Sequence, residues 1–271
     1  MNATEKLIKL YQEDPLLKGI TLTTKNIKSA VFYVEELHNC KKCKGLEYCK
    51  NSICGIRPKF DGENISYEPC EYKVIEERKY NVDTTFASNY VMDASLASFE
   101  LDNPSRLKVY EYANKVLSSV KKMLPGLYIY GQYGTGKTYF LSALANELAQ
   151  KGIKSIVVFM PDLSRNLKNA MAENLLENRV NLLKNVDVLM LDDLGGEMIS
   201  PWLRDEIIAP VIQYRMLHDK PIYITSNLDY SLLGEHFSST KDDINNIKSY
   251  RILERIKKMT KRVCFDTEFK K

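Results

Sequence analysis

No apolar run in this sequence approaches the roughly 20 residues that span a bilayer, so a membrane helix is not expected. The opening MNATEKLIKLYQEDPLL has charges scattered through it and lacks the apolar core of a secretory leader. Charge of one sign is not in excess either: 39 Lys and Arg face 35 Asp and Glu, a net charge of +4. Internal repeats and low-complexity tracts are absent. Cysteine is scarce, six residues in 271, yet five of the six fall between positions 40 and 70. Without leader or span the expected compartment is the cytoplasm, where disulfides are disfavoured and clustered cysteines more often hold a metal.

What is present is an ordinary globular composition, 44% apolar and 27% charged, long enough for one large or two smaller domains. Three regions can be read. Residues 1–75 hold the cysteines. Within them NIKSAVFYVEEL (26–37) places Ile27, Val31 and Leu37 near one helical face, and the stretch between Cys49 and Cys70 has the Gly, Pro and Asp-Gly punctuation of turns between short strands. Residues 76–105 read as a linker, charged at first, ending in Asp102-Asn103-Pro104, which suits a helix start. Residues 106–271 alternate short apolar runs with amphipathic helices. The expected strands are LYIY (127–130), SIVVF (155–159), VDVLML (186–191), PIYIT (221–225) and RVCF (262–265), and the expected helices include 136–151 and 202–218. That alternation predicts an α/β fold with a parallel five-stranded sheet covered on both faces.

Gly131-Gln132-Tyr133-Gly134-Thr135-Gly136-Lys137-Thr138 fits G-x-x-x-x-G-K-[ST] directly after LYIY. Glycines let successive backbone N–H groups turn around phosphate oxygens, and the helix opening at Gly136 adds its positive end. Lys137 is placed to reach the β- and γ-phosphates and the Thr138 hydroxyl to ligate Mg²⁺. Asp192 and Asp193 close the apolar strand VLML: Asp192 suits the metal, and Asp193 the base that orients attacking water. Asn227, ending the next strand in Thr-Ser-Asn, either senses the γ-phosphate or merely starts a loop. KSYRILERIKKMTKR (248–262) has seven basic residues and one acid, Glu254. It reads as a solvated helix face or as a phosphate-contacting surface. Arg251 and Arg255, four apart, read as a helix-surface pair or as the arginine that a neighbouring subunit lends to a γ-phosphoryl group.

Taken in order, LYIYGQYGTGKTYFLSALANELA, VLMLDDLGGE, WLRDEIIAPVIQYRM, IYITSN and YRILERI resemble the AAA+ ATPases that load replicative helicases in bacteria, the DnaC/DnaI type. The likeness covers roughly residues 95–266. It implies a P-loop NTPase domain in which Gly131, Gly134, Thr135, Gly136, Lys137 and Thr138 bind ATP and Lys137, Asp192, Asp193 and Asn227 serve the chemistry. Arg255, with Arg251 beside it, would act on the site of the next copy, so that self-association completes the site. Because Asp193 is one methylene shorter than the Glu usual at that place, hydrolysis is expected to be slow, stimulated by single-stranded DNA. The DnaI-like branch also carries an N-terminal zinc module that grips the hexameric helicase, which CKKCKGLEYCKNS and ISYEPCEYK resemble. The family pattern points to Cys40, Cys43, Cys49 and Cys70 as zinc ligands, while spacing alone leaves Cys54 and His38 open.

The implied partners are the replicative helicase, single-stranded DNA and other primosome or initiator proteins. Arg165, Lys168, Lys257, Lys258 and Lys261 are candidate DNA contacts, though a solvated face explains them equally well. Cys264, inside RVCF, is expected in the core. Two rival readings share the phosphate loop. One is an ATPase that assists transposition, against which the cysteine module argues. The other is a small-molecule kinase, which would need a second substrate pocket and lid arginines.

Overall fold

A computed structural model describes residues 3–41, 43–119, 124–240 and 246–265, except the side chains of 78 and 79. The chain divides into two compact units, residues 1–77 and 78–271. Among the described residues no helix is long and apolar enough to cross a membrane.

The first unit is built on α1 (Ala3–Tyr11), α2 (Ile27–Lys41) and a hairpin of β1 (Ile56–Phe60) and β2 (Ile65–Pro69), paired antiparallel. Its core is small: Leu17, Leu22, Ile27, Ala30 and Val34, with Phe60 of the hairpin packing its ring 5.8 Å from that of Tyr33. So small a core leans on polar ties. The Asn26 side chain donates to the carbonyls of Thr21 and Gly62, joining the start of α2 to the hairpin turn. Glu36, buried on α2, accepts from the backbone N–H (2.9 Å) and hydroxyl (2.8 Å) of Ser52. In the turn, Asp61 accepts from the N–H groups of Glu63 and Asn64, which hold its carboxyl below the usual range. The chain continues into α3 (Glu71–Asn81).

The second unit contains a parallel sheet of six strands: β3 (Val82–Phe86), β4 (Gly126–Gly131), β5 (Ser155–Phe159), β6 (Val188–Asp192), β7 (Ile222–Ser226) and β8 (Thr260–Phe265), in the spatial order β3-β5-β6-β7-β4-β8. The expected count of five strands is therefore corrected to six. The extra strand lies in the stretch read as a linker and pairs with β5, Val82 opposite Ser155. It escaped the sequence pattern because an edge strand needs little apolar material: only Val82 and Phe86 of its five residues are buried.

The helices are α4 (Pro104–Ser118), α5 (Lys137–Gln150), α6 (Met160–Ala172), α7 (Leu176–Asn185), α8 (Ala209–Leu217), α9 (Tyr230–Ser238) and α10 (Ile247–Met259). Strand side chains alternate between two cores. Leu127, Ile129, Val157, Val188 and Met190 meet α4 and α5, whereas Tyr128, Ile156, Val158, Leu189 and Leu191 meet the other helices. Asn103 caps α4 by accepting from the N–H of Arg106, with Pro104 next, as the sequence predicts. The helix expected over 202–218 instead begins with a π turn, Leu203–Ile208, before α8. Pro210 has no N–H to offer the ordinary ladder, and the turn widens ahead of it.

Candidate nucleotide site

β4 delivers the chain to Gly131, and α5 starts at Lys137. Gly136, the residue before that helix, has φ +88°, in the left-handed region that suits glycine. The loop wraps a cavity of about 390 Å³ that Gly134, Thr135, Gly136, Lys137 and Thr138 share with Asp192, Asp193 and Asn227. The unpaired N–H groups at the opening of α5 make its wall a natural seat for phosphate. Lys137 Nζ donates to the carbonyls of Gly131 (2.8 Å) and Gln132 (2.7 Å). Burial pushes its ammonium below the usual lysine range, and Asp193 and Asp192 pull it back.

β6 sets the acids by register, lying between β5 and β7 with every residue buried. The Thr138 hydroxyl donates to Asp192 at 3.0 and 3.2 Å. A hydroxyl and a carboxylate meeting at the mouth of a phosphate loop form a hard oxygen donor set that fits Mg²⁺. Thr225, on β7, donates to Asp192 Oδ1 and accepts from the N–H of Asp193 at 2.9 Å.

Asp193 takes φ +57°, an uncommon conformation for a residue with a side chain. Asn227 fixes its carboxylate by donating to Oδ1 at 2.8 Å. Burial, then the neighbouring Asp192 charge, push the Asp193 carboxyl above the usual range, against the pull of Lys137. The loop beyond is tight: a Cβ at Gly196 would stand 2.4 Å from Asp193 Oδ2. Buried Glu197 holds this loop from below, accepting from Gly195 N–H at 2.8 Å and meeting His236 Nε2 at 3.0 Å.

Several of these residues carry no sequence signal. Arg106 is buried and donates to the carbonyl of Thr135 at 2.9 Å, with ion pairs to Glu100 and Asp102 at its other nitrogen. Asn89, from the presumed linker, lines the cavity and donates to Asp192. Thr225 was visible as part of Thr-Ser-Asn, but its bridging role depends on the β6–β7 pairing.

The structure brings together Gly134, Thr135, Gly136, Lys137, Thr138, Asp192, Asp193 and Asn227, with Gly131 at the strand end. Arg251 and Arg255 do not line this cavity; they lie on α10, Arg251 exposed and Arg255 half-buried. Among the DNA candidates, Arg165 pairs with Asp162, Lys257 pairs with Glu254, and Lys261 stands over the Tyr112 ring. Lys168 and Lys258 are exposed.

The zinc centre expected at Cys40, Cys43, Cys49 and Cys70 is not supported. Among the described residues no three or more Cys, His, Asp or Glu side chains are gathered to hold a metal. Cys40, near the end of α2, accepts from the Asn51 amide; the Cys43 thiol donates to the Gly45 carbonyl, and that of Cys54 to Leu46. Cys70 is buried, and His38 stands 4.0 Å from Asp14. Cys49 and Cys54 hydrogen-bond to each other, so two thiols pair, but no three-ligand group forms among the described residues. Lys42, within the same motif, lies outside the described residues. Cys264, expected in the core, is half-buried on β8.

Comparison with known proteins agrees with this geometry. The sequence profile of the IstB-like ATP binding protein family matches residues 71–266. The replicative helicase loader DnaI of Bacillus subtilis (strain 168) is 33% identical over 255 residues, covering 90% of this chain and 82% of the relative. The crystal structure of DnaI superposes with a TM-score of 0.60 at 31% identity, over 72% of this chain and all of that one, 100%. The crystal structure of the DnaC helicase loader gives a TM-score of 0.51 at 25% identity, over 64% and 97%. The chain belongs to the IstB-like ATP-binding proteins, and to the family of the helicase loader DnaI.

Proposed function

We propose that this protein is a helicase loader that uses ATP to deliver the hexameric replicative helicase onto single-stranded DNA, at initiation or restart of replication, in the cytoplasm. The observation that carries this reading is the extent of the likeness to DnaI. At 90% of the chain it runs past residues 71–266, which the family profile matches, into the first unit. A relative that shared only ATPase machinery would stop at the second unit. Residues 1–75 are accordingly assigned to the helicase and 106–271 to the ATPase.

The site supports a defined division of labour. The ammonium of Lys137, now on two loop carbonyls, exchanges them for phosphate oxygens when ATP enters. Thr138 and Asp192 would hold Mg²⁺, which would supply charge neutralisation to the phosphates. Asp193, with its raised pKa and a short side chain pinned by Asn227, accepts the proton of an attacking water. Hydrolysis is slow and accelerated by single-stranded DNA. Arg255, assisted by Arg251, serves the site of an adjacent copy, so that loader copies associate through their nucleotides. Basic side chains on α6, α10 and β8 meet the DNA backbone, and other primosome or initiator proteins complete the assembly.

The test is to mix the protein with the replicative helicase of its host and size the complex with and without ATP. Co-elution that depends on residues 1–75, and transfer of helicase to single-stranded DNA that depends on Lys137, are expected. Capture of a transposase in place of the helicase would show the transposition-helper reading instead.

A further inference from the structure

Asn89 lies in a stretch whose composition reads as a linker, yet its side chain reaches the centre of the nucleotide cavity. Its Nδ2 donates to Asp192 Oδ2 at 2.5 Å. Its Oδ1 is shielded from solvent and has no hydrogen-bond partner among the described residues. A buried amide oxygen without a donor is costly, and such an atom at a cavity wall marks a place where something else supplies the proton. The same cavity is lined by Thr138 and Asp192, the metal-holding pair.

Placement of Asn89 does not depend on a ligand. After β3 the chain is fastened to the second unit almost residue by residue. Ser88 donates to Asp162 on α6 at 2.9 Å. The Tyr90 hydroxyl bonds to Asn146 on α5, and Val91 N–H donates to Ser142 on the same helix at 3.2 Å. Asn146, wholly buried, donates in turn to the carbonyls of Met92 (3.0 Å) and Ala94 (2.7 Å). Ser95 N–H reaches the Tyr139 hydroxyl at 3.3 Å. A polar side chain flanked by six fastened residues of its own strap is preorganised for whatever it contacts.

We propose that Asn89 is a positioning residue of the metal-nucleotide site. Its amide N–H orients the Asp192 carboxylate, and its carbonyl oxygen accepts from a water in the coordination sphere of Mg²⁺. Metal-bound water is a strong donor, and Oδ1 is an acceptor in want of a donor. Outer-shell groups of this kind set metal affinity more than nucleotide affinity, typically by 10- to 100-fold. The proposal rests on the reading of the cavity as a Mg·ATP site.

The experiment uses the full chain and the variants Asn89→Ala and Asn89→Leu, the second close in volume, so that an emptied space and a lost amide are separable. ATP binding is followed by calorimetry in EDTA and then across a Mg²⁺ titration, and Mn²⁺ binding to the ATP complex by electron paramagnetic resonance. Both variants should bind ATP in EDTA within about twofold of the parent, while the Mg²⁺ midpoint rises about tenfold or more and Mn²⁺ affinity falls in step. An unchanged Mg²⁺ midpoint in both variants overturns the proposal while leaving the nucleotide site intact. Equal loss of ATP binding with and without metal also overturns it, making Asn89 a general wall of the cavity. Should the parent protein itself retain no ATP with Mg²⁺, the functional reading fails first, and this inference with it.

Discussion

The phosphate loop and the cysteine segment are two motifs of similar density, and the structure treats them differently. The loop is local: five consecutive residues, 132–136, bounded by a strand and a helix, form a cradle suited to phosphate through their own backbone. Its acids arrive on β6, whose register against β5 places Asp192 beside Phe159 at the strand ends. The cysteines are spread from position 40 to position 70, over the end of a helix, a short 3₁₀ turn at Leu46–Tyr48 and a hairpin. Their convergence depends on every intervening turn, and among the described residues it stops at the pair Cys49 and Cys54. A motif that carries its own scaffold is safer to read than one whose scaffold is elsewhere.

The largest expected effect on this contrast is at Asp193. Asp193→Asn should lower kcat for ATP hydrolysis about 10²- to 10³-fold, the range for a lost general base, with ATP affinity nearly unchanged. Burial and Asp192 raise its pKa, so deprotonation, which the proposed role as base needs, is complete only at higher pH. The acid limb of the kcat profile should therefore lie above the ordinary Asp value of about 3.9, with rate rising as pH rises through it. The same shift has a stability sign: the native state disfavours the ionised form, a penalty present above the folded pKa and absent below the unfolded one. Asparagine removes the charge and tolerates the left-handed conformation, so the variant should be more stable at neutral pH, on the order of 0.5–1 kcal/mol by urea unfolding.

Next in size is Lys137→Ala, expected to weaken ATP binding on the order of 100-fold, as loss of a charge-assisted contact worth about 2–3 kcal/mol. Calorimetry measures it, and a circular dichroism spectrum like the parent's shows that the fold survives. Arg106→Ala probes the loop's support without touching phosphate. Removing the donor from the Thr135 carbonyl should cost about 2 kcal/mol in urea unfolding. The smallest effect is expected from Cys40→Ser, which should leave ATP affinity within about twofold, because ATP is held by the second unit. Metal analysis can break the comparison altogether. A stoichiometric ion that survives gel filtration and disappears in Cys43→Ser would mean that the thiols gather when loaded.

Legibility followed the same division. Lys137, Thr138, Asp192 and Asp193 were readable because a strand-to-helix glycine loop and an acid-ended apolar strand each fit within a few residues. Strand β3 was not, since two buried side chains in a charged and Ser/Ala-rich stretch leave no period to detect. Arg106 and Asn89 were not either. An arginine in the first turn of a helix and an asparagine in a loop are commonplace until the fold sets them against Thr135 and Asp192.

By itself the sequence determined a parallel α/β nucleotide-binding domain and the loop and acids that line its cavity, because those depend on alternation and on contacts between near neighbours. Tertiary structure alone decided the sixth strand, the strap that carries Asn89 into the cavity, the buried supports of the loop and which thiols meet. Each of these is a meeting of residues distant along the chain, and only packing settles which distant residues meet.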